Sequence, residues 1–198
     1  MLERRKKMYK YKISKSFDFC YGHRVYTQDV DPDYAGSLEC PCQRIHGHQG
    51  KITVEMSIDK LDQRGFVVDF KELSFIKYFI DNNLDHRFIV SVQDPGFQKL
   101  VGIDPLYTIK EDSELVIPIH LHSNELMGYR FDIDNPHIKM DMNHLNSFVI
   151  VDFNPTSEEL AKWIYEGLEK VFDQSPFDCR VESVEWSETP KTKAVYTK

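Results

Sequence analysis

Two stretches of period-two alternation bracket a histidine cluster, and they leave this chain little freedom in how it folds. Over residues 10–19, Tyr11, Ile13, Phe17 and Phe19 share one parity, while Lys10, Lys12, Ser14, Ser16 and Asp18 share the other. Over residues 51–58, Ile52, Val54, Met56 and Ile58 alternate with Lys51, Thr53, Glu55 and Ser57. Each stretch reads as a strand with one covered face and one wet face. His23 continues the apolar parity of the first strand, and His46 and His48 share that of the second. Residues two apart on a strand point to the same side, so all three imidazoles are expected on the covered face. Gly47, between two of them, keeps the opposite face clear.

The run Cys42-Gln43-Arg44-Ile45-His46-Gly47-His48 adds a thiol to this set. Three neutral imidazoles can hold Zn²⁺ and leave a fourth position for water or substrate, the layout of a catalytic centre. A structural Cys₂His₂ site from Cys40, Cys42, His46 and His48 uses the same stretch, but it gives His23 no role and crowds five donors into one shell.

Composition narrows the partners. The chain has 198 residues, 41% of them hydrophobic, enough for a buried core in one domain with an insertion. A formal net charge of -7 disfavours a general nucleic-acid or membrane-surface binder and points to a small-molecule partner. The four cysteines, Cys20, Cys40, Cys42 and Cys179, read as reduced thiols of a cytoplasmic protein, because a chain of this size does not need disulfide staples. The basic N-terminal residues are followed by alternating lysines and not by an apolar signal core, and no run reaches membrane-spanning length.

Two helices stand out. Asp69 with Glu72 marks a helix start, followed by Leu73, Ile76, Phe79 and Ile80 at helical spacing and a stop at Asp81-Asn82-Asn83. Thr156 and Glu159 form a capping box for a helix over 157–172, with Leu160, Trp163, Ile164, Gly167, Leu168, Val171 and Phe172 on one face. A third strand is expected over 180–188, where Val181 and Val184 differ in parity and imply a bulge. A fourth follows over 192–197, after a turn at Thr189-Pro190-Lys191. Between these parts, short apolar runs are broken by Asp94-Pro95-Gly96, Asp104-Pro105, Pro118 and Asn135-Pro136. That segment, about 89–147, reads as an inserted subdomain with a hairpin or two. It carries His120, His122, His137 and His144, which read as exposed or packed histidines and not as a second metal site.

The ordered segments FDFCYGHR, CQRIHGH, VVDFKEL, LDHRF, NPTSEELA and SETPKTKAVY resemble the 6-pyruvoyltetrahydropterin synthase superfamily. The resemblance covers residues 10–88 and 148–196. The three-residue gap between Cys42 and His46 is similar to that of the bacterial 6-carboxytetrahydropterin synthases of queuosine biosynthesis. The insertion departs from the compact pattern.

The resemblance implies an α+β tunnelling fold: a four-stranded antiparallel sheet with two helices on one face, plus the inserted subdomain. It implies Zn²⁺ held by His23, His46 and His48, Cys42 as a proton acceptor, and Asp85 with His86 as an acid-base pair. Glu188 becomes the anchor for a pterin, with Thr156 and Ser157 near it; Cys20 and Cys40 receive no role. The implied reaction turns 7,8-dihydroneopterin triphosphate into 6-carboxy-5,6,7,8-tetrahydropterin, with loss of acetaldehyde and triphosphate, in a homo-oligomer with sites at subunit interfaces. A 6-pyruvoyl product from the same substrate is the nearest alternative, and a non-catalytic zinc protein is the second.

Overall fold

The computed structural model describes residues 10–27, 41–105, 113, 115–122, 125–132, 134 and 140–198. The two alternating stretches form β1 (Tyr11–His23) and β2 (His46–Ile58). They pair antiparallel without a break from Tyr11 opposite Ile58 to His23 opposite His46. Phe17, Phe19, Tyr21 and His23 are buried on β1, as are Ile52, Val54, Met56 and Ile58 on β2. The parity reading holds through the middle of both strands; at their outer ends Tyr11 is exposed and Ser57 is buried.

Asp69 caps the first helical segment, as expected, and the segment opens as a 3-10 turn, Phe70–Leu73, with the Asp69 carboxylate accepting from the Lys71 amide. That turn runs into α1 (Ser74–Asn83). The remaining strands are β3 (Arg87–Ser91), β4 (Val116–His120), β5 (Leu126–Phe131), β6 (Phe148–Val151), β7 (Arg180–Thr189) and β8 (Thr192–Tyr196). Helix α2 (Phe97–Val101) follows β3, and α3 (Ser157–Asp173) lies between β6 and β7. The β7 bulge is real: Val181 pairs with Met56 and Ser183 with Glu55, which leaves Glu182 as the extra residue. Val181 and Val184 therefore both reach the core despite their opposite parity.

The expected four-stranded sheet with a separate inserted subdomain is corrected here. The described strands form one eight-stranded, mostly antiparallel sheet in the order β4-β5-β6-β3-β1-β2-β7-β8. Two pairings, β1 with β3 and β3 with β6, are parallel. Segment 89–147 supplies β4, β5 and most of β3 to this sheet, so it widens the sheet instead of standing apart. These strands leave little alternation in the sequence because they span only five or six residues each, and in β3 Ile89, Val90 and Ser91 are all buried.

One face is covered along β1, β2 and β7, and the other only over β3, β5 and β6, which leaves Ser14, Ser16, Asp18 and Cys20 of β1 exposed. Helices α1 and α3 pack on the main core with Ile76, Phe79, Leu160, Ile164 and Leu168, and this core also takes in Ile119, Leu121 and Met127 from 89–147. A smaller core on the other face gathers Val90, Phe97, Val101, Phe131, Leu145 and Ile150, with α2 over it. The expectation of helices on one face is thus met by α1 and α3 but not by α2. Buried Asp94 of the Asp94-Pro95-Gly96 turn pairs with Arg24 Nε at 2.9 Å, which ties the second face to the end of β1. Cys40 and His137 lie outside the described residues.

Candidate metal centre and active site

The register that puts His23 opposite His46 also brings His48 alongside, two residues further on the same face. One ring nitrogen from each of the three lies within 4.8 Å of the others, and Nε2 of His23 and Nε2 of His48 are 3.1 Å apart. Two main-chain carbonyls orient the rings. His23 Nδ1 meets the Pro155 carbonyl at 2.7 Å, and His46 Nδ1 meets that of Arg44 at 2.7 Å. A carbonyl can only accept, so Nδ1 carries the proton in both rings and Nε2 keeps its lone pair.

Burial favours the neutral rings. His23 is 1% exposed, and its pKa is pushed down to about 4, chiefly by desolvation; the Pro155 carbonyl opposes the shift, and His46 and His48 reinforce it. Burial also lowers His48, against the pull of Glu188. Lone pairs forced together on neutral imidazoles suit a divalent cation: in a tetrahedral shell with metal–nitrogen distances of about 2.0–2.1 Å, ligand nitrogens stand about 3.3 Å apart. The residues present therefore fit a His₃ metal site. The Tyr21 ring packs against His23 and His48, with centroids 5.2 and 5.6 Å away, and its hydroxyl accepts from Trp186 Nε1 at 2.8 Å. Burial raises the Tyr21 phenol above its ordinary range.

Glu188, near the end of β7, faces the same centre. Its Oε1 is 3.6 Å from His23 Nε2 and its Oε2 is 4.0 Å from His48 Nε2. Ser157 donates its hydroxyl to Oε1 at 2.6 Å, so Ser157 meets the site through the carboxylate. Thr156 is the N-cap of α3 and accepts from the Glu159 amide at 3.2 Å. The segment 155–157 thus orients His23, starts α3 and holds Glu188.

Cys42 sits in a 3-10 turn, Pro41–Gln43, half-buried and without a disulfide. Its carbonyl accepts the Val25 amide at 2.8 Å, which fastens this turn to the end of β1. Among the described residues, Cys42 is not part of the cluster formed by the three histidines.

Asp85 and His86 lie elsewhere. His86 Nδ1 is 3.0 Å from Asp85 Oδ2, while Asp85 Oδ1 accepts the Cys20 amide at 2.8 Å. Burial works to raise the Asp85 carboxyl, but the Cys20 amide and the His86 ring outweigh it and hold it below the usual carboxylate range. Cys20 has the opposite parity to His23 on β1, so this pair is on the other side of that strand from the three imidazoles. Within one chain, the Asp85–His86 pair and the three imidazoles are separate.

His120 and His122 join no potential metal cluster among the described residues; His122 packs on the Phe75 ring, centroids 5.1 Å apart. Sequence reasoning gave no part to Pro155, Tyr21 or Cys20. Tyr21 had a signal in its core parity, whereas a carbonyl contact 132 residues away leaves none.

The family described as 6-pyruvoyl tetrahydropterin synthase matches residues 12–198. A 6-carboxy-5,6,7,8-tetrahydropterin synthase of Aquifex aeolicus is 26% identical over 194 residues, covering 94% of this chain and 98% of the relative. A putative enzyme of the same name from Pyrococcus horikoshii is 30% identical over 146 residues, covering 72% and 71% of the two chains. The crystal structure of an uncharacterized protein from Wolinella succinogenes is 39% identical, with a TM-score of 0.76 and coverage of 95% and 98%. The 6-pyruvoyl tetrahydropterin synthase of Caenorhabditis elegans shares the fold at 18% identity, with a TM-score of 0.53 over 95% of each chain. With the match extending over nearly its whole length, the chain belongs to the 6-pyruvoyl tetrahydropterin synthase family.

Proposed function

We propose that this protein is a zinc-dependent lyase that converts 7,8-dihydroneopterin triphosphate to 6-carboxy-5,6,7,8-tetrahydropterin, releasing acetaldehyde and triphosphate, in queuosine or a related 7-deazapurine pathway. The observation that carries this reading is the convergence of His23, His46 and His48 beside the Glu188 carboxylate. The names of the Aquifex and Pyrococcus relatives support the choice of product.

Zinc at the three imidazoles would supply Lewis acidity, easing removal of protons from the hydroxyls and adjacent carbons of the substrate side chain. Glu188 accepts two hydrogen bonds from the 2-amino group and ring N–H of the pterin, and Ser157 holds that carboxylate in place. Cys42 accepts a proton from the side chain, as a thiolate is the reactive form of cysteine. Asp85 holds the His86 ring by Nδ1, leaving the other nitrogen to pass protons.

Since Asp85 and His86 lie across β1 from the three imidazoles, one site that uses both draws them from different copies of the chain. This supports a homo-oligomer with sites at subunit interfaces; we read it as a trimer or hexamer, and as cytoplasmic from its reduced thiols. The core shared by 89–147 with β1, β2 and α3 supports one tunnelling-fold domain over 1–198.

Incubation of purified protein carrying one equivalent of Zn²⁺ with 7,8-dihydroneopterin triphosphate tests the proposal. Carboxy product with stoichiometric acetaldehyde is expected; a pyruvoyl product without acetaldehyde would show the alternative reaction. Cys42→Ala should retain zinc and lose turnover, whereas release of metal by that substitution would indicate structural zinc.

A further inference from the structure

The other side of β1 carries donor atoms of three kinds. Sγ of Cys20, a carboxylate oxygen of Asp85 and a ring nitrogen of His86 lie within 4.8 Å of one another. The main chain clamps them together: the Cys20 amide donates to Asp85 Oδ1 at 2.8 Å, and the His86 amide donates to the Cys20 carbonyl at 2.6 Å. His86 adopts a φ of +58°, the only positive φ at a non-glycine residue among those described. For an L-residue this costs roughly 1–2 kcal/mol, and the structure sustains it at the position that brings an imidazole beside a thiol. Cys20 is exposed and the His86 ring is 79% exposed, so ions can enter and water can complete a shell.

We propose that Cys20, Asp85 and His86 form a second divalent-cation site, separate from the three imidazoles and selective for thiophilic ions such as Zn²⁺ or Cd²⁺. A thiolate, an imidazole and a carboxylate match the ligand preferences of such ions, while Mg²⁺ and Ca²⁺ require oxygen shells. Tetrahedral ligation, with Zn–S of about 2.3 Å and Zn–N or Zn–O of about 2.0–2.2 Å, places donors about 3.5 Å apart. Asp85 Oδ2 and His86 Nδ1 are already 3.0 Å apart, and small side-chain rotations bring the exposed Cys20 thiol to that spacing. On binding, the thiol proton and any proton on the coordinating ring nitrogen pass to solvent, so occupancy rises with pH. An ion held there takes Asp85 and His86 out of proton transfer. That consequence rests on the reading under Proposed function; the binding itself does not.

The test is a titration of metal-free full-length protein with Co²⁺ and with Cd²⁺, beside Cys20→Ser and Cys42→Ser. Wild type and Cys42→Ser should take up a second equivalent with thiolate-to-cobalt charge-transfer absorption. Cys20→Ser should keep the first equivalent and lose that absorption, its second-site affinity falling by more than the roughly 10- to 100-fold that loss of an outer-shell partner costs. A wild-type stoichiometry of one, or a second equivalent with absorption that persists in Cys20→Ser, overturns the proposal. In turnover assays, excess Cd²⁺ should inhibit wild type and spare Cys20→Ser, whose metal-limited activity equals wild type. If the protein lacks the proposed activity altogether, the titration still decides the site.

Discussion

Ser157 donates its hydroxyl to Oε1 of Glu188 at 2.6 Å, and that same oxygen lies 3.6 Å from Nε2 of His23. The start of α3 and the end of β7 are therefore joined directly beside the three imidazoles. A hydrogen bond to a charged group contributes about 1.5–3 kcal/mol. Ser157→Ala should raise KM for the pterin substrate about 10- to 100-fold while zinc content, read by metal analysis, stays at the wild-type level. Loss of zinc would mean that Ser157 supports the metal and not the substrate.

The His23 shift sets a pH dependence for metal-free protein. Its pKa in the folded state is depressed to about 4 from the ordinary 6.5, so the unfolded chain takes up the proton first as pH falls. Stability is fully present above about pH 6.5 and is lost progressively toward pH 4, by on the order of a few kcal/mol. His48 acts in the same direction. Urea midpoints of chelated protein should fall from pH 7.5 to pH 5, and His23→Gln should flatten that slope. An unchanged slope in His23→Gln would assign the acid sensitivity to other groups.

Arg24, one residue beyond His23, meets the Asp94 carboxylate, which is only 1% exposed. Removing one partner of a buried ion pair leaves an uncompensated charge and costs about 3–5 kcal/mol. Asp94→Ala should lower the thermal midpoint markedly, and an Arg24→Leu/Asp94→Leu double variant should recover part of the loss.

Gly22 provides a steric test of the same neighbourhood. A Cβ there would lie 2.7 Å from Cδ2 of Phe88 and 3.1 Å from the His46 carbonyl. Gly22→Ala should therefore cost about 1–3 kcal/mol, as overpacking typically does. Because the second contact belongs to a candidate ligand residue, calorimetry should also show weaker zinc binding. A stability loss with unchanged zinc affinity would localise the strain at Phe88.

Features that depend on local periodicity were legible in the order of residues alone. Alternation placed Phe17, Phe19 and His23 on one face, and the caps at Asp69 and Thr156 marked where helical structure begins. The same parity grouped His23, His46 and His48 before any register was known, since each histidine simply continues an apolar row. Only the tertiary structure decided what depends on contacts between distant segments. Strands β3 to β6 are short, and β3 is buried on both faces, so their place in one eight-stranded sheet left little periodic trace. Pro155 contributes a carbonyl, which every residue has, and its hold on His23 could not be read from side-chain chemistry. The clustering of Cys20 with Asp85 and His86 likewise arises from hydrogen bonds across 65 residues, which fix positions that no spacing rule encodes.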